Sequence, residues 1–78
     1  MTKLQTVFAG VLGIPADAVT DSLSPETEPR WDSLNAIILV TEIEAAFNTR
    51  FGYEEAMGVK NFGGAVELLK AKGLDPYA

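Results

Sequence analysis

The chain is 78 residues long and contains neither cysteine nor histidine. No disulfide can staple it, no thiolate can hold zinc, and no Ser-His-Asp or Cys-His arrangement can form. Eleven acidic against 6 basic side chains leave a net charge of -5, which opposes binding to nucleic-acid phosphates and suits partners with basic patches.

The 47% hydrophobic content is enough for one core, so a single domain over residues 1–78, held by packing alone, is expected. The opening "MTKLQTVFAG" has only Lys3 and no cleavable apolar segment, so it does not read as a signal peptide. No apolar run approaches the roughly 20 residues of a membrane span. The expectation is a soluble, cytoplasmic monomer.

Thr2 with Gln5 three positions later fits a capping box at the start of a helix. Leu4, Val7, Phe8, Val11 and Leu12 then recur at helical spacing. Gly13 and Pro15 supply the stop, which predicts a first helix over 3–12. Residues 13–31 read as a long connection broken by Pro15, Pro25 and Pro29. Ile14, Val19 and Leu23 are spaced to pin it to the bundle, and "SPET" predicts one isolated turn with Ser24 as cap. A second helix starts at Asp32 or Ser33 and runs to about Asn48, with Leu39, Ile43 and Phe47 as its core stripe and Ala36 and Val40 beside them. Tyr53 to Met57 form one or two turns. Asn61 caps a last helix whose apolar set is Phe62, Ala65, Val66 and Leu69, with Lys70 and Lys72 at its negative end and Gly73 closing it. Gly63 and Gly64 each weaken that helix by about 1 kcal/mol relative to alanine, so its start is expected to fray.

The fold class is therefore all-α: a four-helix bundle with three longer helices, one short helix and a long ordered loop between helices one and two. Phe8, Leu12, Leu39, Ile43, Phe47, Phe62, Val66 and Leu69 are the expected core. Whether that core parts to admit an alkyl chain stays open at this point.

The chemistry concentrates in "EPRWDSLNAIILV", residues 28–40. Asp32 and Ser33 are preferred residues at a helix start, and Trp31 with Ala36 has the spacing of a weak hydrophobic staple. A helix N-terminus also offers free N–H groups and partial positive charge, which would stabilise a phosphate ester on Ser33. Asp32 is placed to share a divalent cation with such a phosphate during a transfer reaction. With no histidine to act as base, Ser33 reads as a modification site served by a separate enzyme, with no catalytic residue and no resident metal. Asp17, Asp21, Glu26 and Glu28 lack the spacing of a calcium loop.

Consecutive helical residues are about 100° apart, so Ile37 to Val40 cover about 300° of the circumference. If Leu39, Ile43 and Phe47 point inward, Ile38 lies about 100° and Ile37 about 160° from that direction. One of the two should be largely exposed, forming an apolar contact strip one turn below Ser33. The other reading is that the loop and the short helix wrap both into the core.

The chain resembles an acyl carrier protein over nearly its whole length. The resemblance rests on "LGIPADAVTDSLSPETEPRWDSL", the "EIEAAFNTRFG" exit of helix two and the closing "VKNFGGAVELL". It implies a 4'-phosphopantetheine arm on Ser33, transferred from coenzyme A, with acyl groups carried on the arm's thiol as thioesters in fatty acid, lipid or specialised metabolite biosynthesis. Asp32 would help a phosphopantetheinyl transferase position metal and phosphate, and Leu34 would sit beside the arm where acyl-loading and acyl-processing enzymes touch it. The chain departs from the usual fatty-acid-synthesis pattern in having Arg30-Trp31 before the motif and Asn35 and Ile38 where acids are common. It thus resembles specialised carriers more than the housekeeping one, with Leu34, Trp31, Asn35, Ile37 and Ile38 as the expected partner surface. Two other readings are a peptidyl or aminoacyl carrier, and an unmodified helical adaptor binding through the helix-two surface.

Overall fold

The computed structural model describes residues 2–78. Its helices are α1 (Lys3–Leu12), α2 (Ser33–Phe47), α3 (Tyr53–Met57) and α4 (Phe62–Ala71), three long and one short, with no strand among the described residues. A 3-10 turn at Ala16–Ala18, which proline spacing alone did not reveal, adds order to the α1–α2 connection. The Ala18 and Val19 amides donate to the carbonyls of Pro15 and Ala16 at 3.0 and 3.1 Å.

Local chemistry sets the ends of each helix. At α1 both halves of the capping box form: Gln5 N–H donates to Thr2 Oγ1 at 3.1 Å and Thr2 N–H to Gln5 Oε1 at 2.9 Å. Gly13, at φ 67°, takes the left-handed conformation that ends the helix. Asn48 does the same for α2 at φ 52°, a conformation that asparagine tolerates better than most side chains.

Leu4, Phe8, Leu12 and Leu69 are the most completely buried side chains, joined by Leu39, Ile43, Phe62, Ala65 and Val66 and by Val19 and Leu23 of the loop. The Phe8 ring meets the Trp31 ring edge-on at 5.3 Å and 71°, and the Phe62 ring at 4.9 Å and 81°. One aromatic stack thereby joins α1, the end of the long loop and α4. Phe47 packs against the expected core without being fully buried. It is half-buried at the end of α2, with Lys3 Nζ lying 5.0 Å from its ring centroid.

Two expectations about polar groups are revised. The "SPET" turn forms, with Thr27 and Glu28 N–H donating to Ser24 O at 3.1 and 2.8 Å. The Ser24 hydroxyl, however, lies 3.5 Å from Thr27 Oγ1 and caps no amide. The start of α4, expected to fray, is tied down. Asn61 Oδ1 accepts from Gly64 N–H at 2.7 Å, while Phe62 and Gly63 N–H donate to the loop carbonyls of Leu23 and Asp21 at 2.9 and 3.2 Å. A Cβ on Gly63 would lie 3.3 Å from Asp21 O, so the glycine serves close approach of two backbones.

The short α3 is secured by one carboxylate. Glu55 Oε1 accepts from Gly52 N–H at 2.7 Å, and Oε2 lies 3.0 Å from Lys72 Nζ at the end of α4. The hydrogen bond from Gly52 N–H first, and Lys72 second, hold the Glu55 pKa below its ordinary 4.5. A lowered folded-state pKa means that the stabilisation is present above the ordinary value and is lost as pH falls through the folded one. Glu55→Gln should therefore weaken α3 at neutral pH, seen as faster amide exchange at Ala56 and Gly58. Below the carboxylate range its α3 chemical shifts should converge with those of the parent protein.

Candidate functional site

The start of α2 is built by its cap. Asp32 is extended, at φ -103° and ψ -175°, and its Oδ1 accepts from Asn35 N–H at 2.9 Å. Ser33 is then the first helical residue, exposed to solvent. The N–H groups of Ser33 and Leu34 belong to the first turn and have no acceptor among the described residues. The second carboxylate oxygen of Asp32 likewise has no protein donor among the described residues, and Asp32 is exposed.

The segment ahead of the cap is gripped from several directions. Arg30 Nη1 donates to Gly13 O at 2.5 Å and to Leu12 O at 3.3 Å, carbonyls at the negative end of α1. Arg30 N–H donates to Glu28 Oε2 at 2.9 Å, and Asn35 Nδ2 donates back to Arg30 O at 2.6 Å. Trp31 drives into the core against Phe8.

These contacts revise part of the expected partner surface. Trp31 is only 5% exposed, so it is a core residue and offers almost nothing to a partner. An indole packed against Phe8 gains more from burial than from display. Asn35 is half-buried with its side-chain amide committed to Arg30 O, so it braces the turn. Leu34 and Ile37 are 67% and 66% exposed and Ile38 is 38% exposed. Positions 34, 37 and 38 share one face of α2, opposite to the inward Leu39 and Ile43. Neither the loop nor α3 wraps Ile37 and Ile38 into the core.

Arg30 and Glu28 carry structural roles that sequence reasoning missed. A cation favoured at a helix C-terminus was a usable signal, but nothing local links Arg30 to Leu12 and Gly13.

Chemically, the arrangement presents an exposed hydroxyl beside two free amides and one uncommitted carboxylate oxygen. It suits a serine that receives a phosphodiester: the amides and the positive end of α2 favour phosphate, and nothing covers the hydroxyl. The chain matches the family described as "Phosphopantetheine attachment site" over residues 2–69, from the cap of α1 almost to the end of α4. The contrast between Trp31 and Ile37 gives a direct test of the geometry. Trp31→Ala should lower stability in urea unfolding by about 3–5 kcal/mol. Ile37→Ala should change it by no more than about 0.5 kcal/mol.

Proposed function

The chain belongs to the phosphopantetheine attachment-site family, and on that premise we propose that it is an acyl carrier protein modified at Ser33. Members of this family bear 4'-phosphopantetheine, derived from coenzyme A and attached covalently. The arm supplies a terminal thiol on which acyl groups are held as thioesters. The observation that carries the proposal is the exposed Ser33 hydroxyl at the first position of α2, with its turn braced by Asp32 and Asn35.

In the transfer, Ser33 Oγ forms a bond to the phosphorus bearing the pantetheine of coenzyme A. The anhydride bond breaks and 3',5'-ADP departs. The Ser33 proton passes to a base of the phosphopantetheinyl transferase, since this chain has no histidine to receive it. The uncommitted Asp32 oxygen would help the transferase hold a divalent cation, which would offset phosphate charge during transfer. Leu34, Ile37 and Ile38 form the apolar strip that acyl-loading and acyl-processing enzymes contact, while Trp31 and Asn35 hold the turn from behind. The protein is a carrier without chemistry of its own; tethering raises the local substrate concentration at each enzyme it visits. An apolar strip where acids are common favours a specialised lipid or metabolite pathway. The reading is of a cytoplasmic monomer.

Incubation with coenzyme A, Mg²⁺ and a broad-specificity transferase should add the mass of one phosphopantetheine, and Ser33→Ala should abolish the addition. An unmodified, folded wild-type protein in the presence of active transferase would overturn the proposal. Ile37→Glu should leave the melting temperature unchanged and weaken docking of a cognate acyl-processing enzyme about tenfold.

A further inference from the structure

The grip on residue 30 is unusual in its completeness. Arg30 is bound through its side chain to α1, through its N–H to Glu28 and through its carbonyl to Asn35 in the first turn of α2. Its Nε also lies 3.8 Å from Glu28 Oε2. The guanidinium donates to Leu12 O and Gly13 O at the carbonyl end of α1, where a cation is electrostatically favoured. Yet the Arg30 side chain is 60% exposed, so it adds little to the buried core. Core attachment of this segment is already provided by Trp31, and the helix start by Asp32. What Arg30 and Asn35 add is a fixed orientation of the turn between Pro29 and Ser33 relative to both helices.

We propose that Arg30, acting with Asn35, is a positioning residue for phosphopantetheine transfer: it holds the Ser33 turn in the conformation that the transferase engages. The inference rests on the reading of Ser33 as the acceptor. Attack on phosphorus requires the hydroxyl within about 3–3.5 Å and in line with the leaving group. A long connection that was free at this point would lose its freedom on docking, at the expense of affinity. A turn already fastened to α1 and α2 loses little.

The test is steady-state transfer from coenzyme A to the full-length protein, with carrier and coenzyme A varied separately. Arg30→Ala should lower kcat/KM for the carrier about tenfold, mostly through the carrier KM, with the coenzyme A KM unchanged. Amide ¹⁵N relaxation at Ser33 should show lost order in the same variant. Arg30→Lys should restore most of the rate, because an ammonium can donate to the same two carbonyls. Asn35→Ala removes only the donor to Arg30 O and should lose rate in the same direction. The double variant should lose less than the product of the two single effects. If wild type is modified and both single variants match it in kcat/KM, the positioning role is overturned while the carrier reading stands. A loss of rate that follows only the unfolded fraction across temperature also overturns it. A wild-type protein that active transferase leaves unmodified overturns both.

Discussion

Phe8 makes edge-to-face contacts with two aromatic rings, Trp31 and Phe62, and the rest of the molecule is arranged around them. Edge-to-face pairs contribute about 0.5–1.5 kcal/mol each beyond the area they bury. Here their position matters more than their sum. They fix α4 and the end of the long loop to the same residue of α1. The loop, which has only a 3-10 turn of regular structure, is further drawn in by Val19 and Leu23 and by hydrogen bonds from Phe62 and Gly63 to its carbonyls. A chain this small has few ways to order a long connection without disulfides. Aromatic packing at one end and backbone pairing in the middle achieve it here.

The helices were legible because their determinants are local. Thr2 and Gln5, Gly13, the Leu39 and Ile43 stripe, and Asn61 each act within a few residues of where they stand. Asp32-Ser33 was legible for the same reason, since capping chemistry and the placement of the serine arise from one turn. Trp31 was not. It sits outside any periodic element, so its burial depends on Phe8, which no spacing rule connects to it. Asn35 lies in the first turn of α2, half-buried, and only the backbone of Arg30 shows why an amide is needed there. Gly63 was misjudged because helix propensity counts its missing side chain as a loss. In the folded chain the same absence lets Asp21 O come close.

Net charge alone does not describe the surface of this molecule. The protein is acidic, but Leu34, Ile37 and Ile38 give the exposed face of α2 an apolar strip. Glu44 accepts from Phe51 N–H at 2.8 Å and helps turn the chain out of α2. Glu55 has a comparable duty at α3. Some acids thus order local backbone, and the overall negative charge is a poor guide to which face meets a partner. Long-range attraction to basic proteins and short-range apolar docking would here draw on different residues.

Trp31 has a further consequence for anyone who handles the protein. It is the only tryptophan in the chain, two residues from Ser33, and its ring rests against Phe8 in the interior. The molecule therefore contains its own optical reporter. Indole emission depends on local polarity and on nearby groups, so one fluorescence trace reads both the integrity of the core and the state of the turn that presents the serine.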